Sequence, residues 1–102
     1  AIRFNVNVVP INQSSINIEL KFSEPVYISI DLDGLDPAYA PGVSHPEPGG
    51  LSTRDIINFI SNIEGEIIGA DIVEYNPYKD INEITAITAA KLLKELMGKI
   101  IK

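Results

Sequence analysis

With 102 residues, 45% of them hydrophobic and 22% charged, the chain has the size and composition of one soluble domain with a modest core. A net charge of −6 without any basic cluster argues against nucleic acid or an anionic membrane as partner; it suits a metal or organic cation, or plain solubility. No cysteine is present, so disulfides and thiolate metal sites are excluded, and no apolar run approaches the ~18 residues of a membrane span.

No signal peptide is recognisable, and the chain opens on Ala1 rather than Met, as a processed or excised piece would. The opening AIRFNVNVVP alternates, with Ile2, Phe4, Val6 and Val8 on one side and Arg3, Asn5 and Asn7 on the other. That predicts a strand stopped by Pro10. INIELKF, residues 16–22, reads either as an alternating strand or as a short helical segment. VYISIDL, residues 26–32, is β-branched and mostly apolar, which predicts a strand buried on both faces. Residues 33–50 carry Gly34, Pro37, Pro41, Gly42, Pro46, Pro48, Gly49 and Gly50, so a long loop is expected there.

Ser52 and Asp55 form a capping-box pattern ahead of Ile56, Ile57, Phe59, Ile60 and Ile63 at helical spacing, with Gly65 as the stop. EIIGADIVEY predicts another strand, closed by a turn at Pro77. The last segment predicts a second helix, with Asp80 and Glu83 as a capping pair and a stripe of Ile84, Ile87, Ala90, Leu93 and Met97. Strand, loop, helix, strand, helix is the rhythm of an α/β fold with a parallel sheet.

The chemistry concentrates at the end of the 26–32 strand. If that strand runs through residue 33, Ser29, Asp31 and Asp33 project from one face. Adjacent carboxylates repel unless a cation intervenes, and hard oxygen ligands favour Mn, Mg or Ca. The carboxyl end of a sheet strand is where open α/β folds place ligands. The competing reading makes Asp31 a loop cap, Asp33 the start of a turn and Asp36 a residue before proline. Spacing leaves both readings open.

SIDLDGLDPAYAPGVSHPEPGGLS resembles the third signature of the ureohydrolase family, which comprises arginase, agmatinase and their relatives. The family pattern is Ser-x-Asp-x-Asp-x-x-Asp-Pro, then Ala-Pro-Gly, then Gly-Gly-Leu. DIVEYNP, residues 71–77, resembles its downstream Asp-[Ile/Leu]-x-Glu-x-[Asn/Ser]-Pro segment. The resemblance covers residues 26–97 and implies part of a three-layer αβα sandwich with a parallel sheet and two Mn2+ ions per complete site. It also implies that Asp31 bridges the ions, that Asp33 binds one, and that Glu74 pairs with the guanidinium of the substrate. Asp36 would hold the loop through backbone amides.

His45, the only histidine, stands where the family has the last threonine of Thr-Gly-Thr. The resemblance puts that position near the substrate, so His45 is either a substrate-binding residue or an exposed loop histidine. The family's upstream Gly-Gly-Asp-His and Asp-Ala-His-x-Asp segments, which hold its other metal ligands, do not occur here. The resemblance therefore implies that residues 1–102 are the carboxyl-terminal fragment of one ureohydrolase domain, inactive alone, whose parent cleaves a guanidino compound, agmatine before arginine, with a formimidoyl-glutamate or guanidino-acid hydrolase as the alternative. It also implies association with the missing amino-terminal part, a homo-oligomer and a cytoplasmic location. Two other classes stay in view: a non-catalytic relative kept for assembly or regulation, and an unrelated binding protein with one Mg or Ca site.

Overall fold

The computed structural model describes residues 20–101, the side chain of Leu20 excepted. The strand expected at residues 2–8 lies outside the described residues. Six regular elements follow in chain order: β1 (Leu20–Lys21), β2 (Val26–Asp31), α1 (Thr53–Asn62), β3 (Ile63–Glu64), β4 (Ile67–Val73) and α2 (Ile84–Ile100). Of the ambiguous 16–22 segment, Leu20–Lys21 is strand, and residues 16–19 lie outside the described residues.

All strand pairing among the described residues is parallel. β1 pairs with β3, and β2 pairs with β4 from Val26↔Ile67 to Asp31↔Val73, with a register shift between Val26 and Tyr27. On β2 the side chains of Ile28 and Ile30 are buried, whereas Tyr27, Ser29 and Asp31 are exposed. The expected two-sided burial is thus one-sided here, because the described elements cover one face only. Ile28, Ile30 and Ile67 from the strands meet Ile56 and Ile60 of α1 and Leu92 and Leu96 of α2 in one core.

The 33–50 loop is part of that core. Leu35, Ala40 and Val43 are buried in it, and Leu35 forms a parallel bridge with Leu51. The bridge is made by Leu51 N–H to the Gly34 carbonyl (3.0 Å) and Asp36 N–H to the Leu51 carbonyl (2.8 Å). Gly50 permits it: a Cβ there would lie 2.7 Å from the Asp36 nitrogen. A proline-rich loop thereby becomes fixed framework.

α1 begins with the expected capping box. Ser52 Oγ accepts from Asp55 N–H at 3.0 Å, and Asp55 Oδ2 accepts from Ser52 N–H at 3.1 Å. The helix stops at Asn62; Ile63, expected on it, turns into β3 to pair with Leu20. In α2 the expected capping pair is only half right. Asp80 caps the helix from outside, accepting from Thr85 N–H (2.9 Å) and Ala86 N–H (3.0 Å). Glu83 is itself the N-cap residue, at φ 61°, and its side chain caps nothing.

The apolar stripe read from the sequence is on the wrong side of α2. Leu92 and Leu96 are fully buried, while Ile84, Ile87, Ala90, Leu93 and Met97 are exposed. Lys91, Lys94, Glu95 and Lys99 share one side of the helix, and the apolar residues spread over an arc broad enough that a three-and-four spacing can follow more than one line through it. Packing on α1 and β4 selects the face containing Thr85, Leu92 and Leu96. Truncating Leu92→Ala should destabilise the chain by about 2–5 kcal/mol. Leu93→Ala, one position away, should cost under about 1 kcal/mol in the same denaturant titration.

Candidate functional site

β2 ends at Asp31, and the chain turns at once into a 3-10 turn, Leu32–Gly34. Asp31 caps that turn: its Oδ1 accepts from Asp33 N–H at 2.9 Å. Leu32 is driven into the core, so residue 33 leaves the strand. Asp33 therefore does not share the strand face with Ser29 and Asp31, as continuation of the strand would require. The two residues still lie side by side at the carboxyl end of β2, joined by that bond from the Asp33 backbone to the Asp31 carboxylate.

Capping and cation binding are compatible at this point. Asp33 Oδ1 is buried and has no hydrogen-bond partner. A buried carboxylate oxygen left unsatisfied is costly unless a cation or ordered water completes it. Both acids offer hard oxygen ligands of the type manganese takes. Among the described residues no group of three or more His, Cys, Asp or Glu side chains could hold a metal. The donor set thus fits part of a metal site, with other ligands needed from elsewhere.

Asp36 has the structural role expected of it. Its Oδ1 accepts from Ala38 N–H and its Oδ2 from Gly49 N–H, both at 2.9 Å. The bonds from Ala38 and Gly49, opposed by partial burial and aided by Gly50, hold its carboxyl below the usual range. It pins the two ends of the loop together.

Asp71 is a residue that sequence reading left without a role. It lies opposite Ser29 in the β2–β4 ladder. Ser29 Oγ donates to Asp71 Oδ1 at 2.6 Å and the Tyr27 hydroxyl to Oδ2 at 3.0 Å. The hydrogen bond to Asp71, with burial and the charge of that carboxylate, raises the phenol pKa of Tyr27. No short-range sequence signal reveals this cluster, because it depends on the register of two strands more than forty residues apart.

Glu74 follows Val73, the ladder partner of Asp31, which brings its backbone to the same edge as the aspartates. It is exposed and has φ 71°, a left-handed conformation uncommon for a residue with a side chain. The next residues are tied down. The Tyr75 hydroxyl donates to Asp80 Oδ2 (3.0 Å), and Asn76 N–H donates to the Gly42 carbonyl (2.7 Å). Asn76 Nδ2 donates to Ser44 Oγ at 3.1 Å, and Lys79 Nζ to the Ser44 carbonyl at 3.2 Å. His45 follows Ser44 on this tethered loop and is exposed.

The chain is similar to known proteins in sequence and in structure. The family model described as Arginase family matches residues 7–98. The mitochondrial arginase 1 of Arabidopsis thaliana is 59% identical over 78 residues, covering 76% of this chain and 23% of that protein. The putative agmatinase 1 of Schizosaccharomyces pombe is 44% identical over 77 residues, covering 74% of this chain and 20% of that protein. The solved arginase from Medicago truncatula superposes with a TM-score of 0.78 at 52% identity, covering 86% of this chain and 29% of that one. The described strands and helices are thus part of an αβα sandwich with a parallel sheet. The chain spans about a quarter of the length of these relatives.

Asp80 ties the site to α2 and gives it an acid limit. Partial burial pushes its carboxyl up, but the amides of Thr85 and Ala86 and the hydroxyls of Thr85 and Tyr75 outweigh this and hold it at about 2. Its folded pKa lies below the ordinary 3.8, so its stabilising contribution is complete above about pH 4 and fades as the pH falls towards 2. Asp80→Asn should lower the melting temperature at pH 7 and flatten its decline between pH 4 and 2, as followed by circular dichroism.

Proposed function

This chain belongs to the arginase family, and we propose that it is the carboxyl-terminal part of a manganese-dependent ureohydrolase acting on a linear guanidino compound. The observation that carries the reading is the unsatisfied Asp33 Oδ1 beside Asp31, at the sheet edge where Glu74 also emerges. Asp31 and Asp33 would hold manganese. The metal, when bound, would lower the pKa of a water and stabilise the negative charge left on its oxygen.

Glu74 is the residue for the substrate. It is an exposed carboxylate at the end of β4, and a planar guanidinium is well matched by a carboxylate acceptor. Its anchored backbone fixes where that charge sits relative to the aspartates. His45 lies on the tethered loop and is the candidate for reading the rest of the substrate. The sequence favoured agmatine; higher identity to the arginase of Arabidopsis than to the putative agmatinase supports arginine, and we place arginine first.

The remaining ligands would come from the polypeptide that supplies the other three-quarters of the relatives' length. The exposed apolar residues on α2 and on β4, among them Leu93, Met97 and Ile68, support burial against that part or against further copies in a homo-oligomer. No helix among the described residues is long and apolar enough to cross a membrane. We keep the cytoplasm as the proposed location; the Arabidopsis and Medicago relatives are named mitochondrial, and cell fractionation separates the two.

The purified chain with Mn2+ should release no urea from arginine or agmatine, because two carboxylates cannot complete the site. Urea release by the chain alone would refute the fragment reading. Joined to the missing part, it should hydrolyse arginine faster than agmatine. Glu74→Gln should then lower kcat/KM by a factor on the order of 10², the scale of removing one partner from a desolvated charge pair.

A further inference from the structure

We propose that Asp80 is a positioning residue: through Tyr75, and together with the Gly42 carbonyl acting on Asn76, it holds Glu74 in its left-handed conformation at the carboxyl edge of the sheet. The functional importance of this clamp rests on the reading of Glu74 as the guanidinium carboxylate.

Val73, Tyr75 and Asn76 are each tied down, and within residues 73–76 only Glu74 has a positive φ. Val73 is held by the β4 ladder opposite Asp31. Tyr75 is held by its hydroxyl bond to Asp80 Oδ2, and Asn76 by its N–H bond to the Gly42 carbonyl. Glu74 sits between these anchors at φ 71°. Such a conformation persists only where the surroundings over-determine it, and it concentrates at functional positions.

The anchors are themselves rigid. Asp80 accepts from the amides of Ile81, Thr85 and Ala86, which fastens it to the start of α2. α2 is seated in the core by Leu92 and Leu96. Gly42 N–H donates to the buried Thr85 Oγ1 at 2.7 Å, and a Cβ on Gly42 would lie 2.9 Å from that oxygen. Both anchors therefore return to Thr85 and Asp80, so one small cluster at the head of α2 fixes both residues that follow Glu74. An aspartate serving only as a helix cap would need no bond to Tyr75.

A thermodynamic cycle on the full chain tests this. Glycine tolerates the left-handed region and alanine does not. Glu74→Gly should therefore fold with an equilibrium constant about five-fold larger than Glu74→Ala, read by urea denaturation. The same pair is then measured with Tyr75→Phe, which cuts the Asp80 link but leaves the helix cap, and with Asp80→Asn. The glycine advantage should shrink at least two-fold in both backgrounds. Unfolded-state differences between glycine and alanine cancel between backgrounds, leaving only coupling.

A ratio below one in the parent chain, the sign that the greater unfolded-state freedom of glycine gives by itself, would overturn the proposal, since position 74 would then be unstrained. An unchanged ratio in both backgrounds would also overturn it, leaving Asp80 a cap with additive effects. Neither glycine nor alanine carries the carboxylate, so the cycle reads the backbone alone. If Glu74→Gln leaves the arginine kinetics of the completed enzyme untouched while the cycle holds, the substrate reading fails and the clamp stands.

Discussion

The parallel register of β2 on β4 is the constraint from which the site follows. Asp31 opposite Val73 brings the end of one strand and the end of the other to a single edge. The first chain turns there through Asp33, and the second continues into Glu74. A register slip of one residue would move Asp31 to the face occupied by Ile28 and Ile30. It would also remove Asp71 from the reach of Ser29 and Tyr27. The buried isoleucines specify the register, and the acids inherit their positions from it.

Around that edge the chain uses carboxylates as backbone anchors. Asp31 caps a 3-10 turn, Asp36 closes the long loop, Asp55 completes the box on α1, and Asp80 gathers the head of α2. Each accepts from one or more amide N–H groups that would otherwise lack a partner. Asp33 stands apart, with a buried oxygen that nothing in the described chain satisfies. The other described aspartates, Asp31, Asp36, Asp55, Asp71 and Asp80, each accept a hydrogen bond through the side chain, and that exception is what the proposed metal role of Asp33 rests on.

The outward surfaces carry a second message. Parallel sheets are normally covered on both faces, yet here the described helices share one core and the Tyr27, Ser29 and Asp31 side stays exposed. α2 shows apolar residues away from the core as well. These features agree with a chain that spans about a quarter of its relatives' length. Under the proposed function the incomplete donor set and the uncovered faces share one explanation: both would be completed by structure contributed from outside residues 20–101.

Much of this was legible in the sequence, because it is local. β-branched runs gave the principal strands, Ser52 and Asp55 gave the start of α1, and Asp80 gave the cap on α2. The two motifs around Asp31, Asp33 and Glu74 gave the family. Tertiary structure alone decided the rest. It chose which part of the broad apolar arc of α2 is buried, because periodicity cannot rank positions within that arc and packing can. It turned Asp33 off the strand, because burial of Leu32 outweighed continuation of the β run. It joined Asp71 to Ser29 and Asp80 to Tyr75 through strand register and helix placement, where no spacing rule operates. Local chemistry is written into neighbouring residues; the meeting of distant ones is set by the packing of the core.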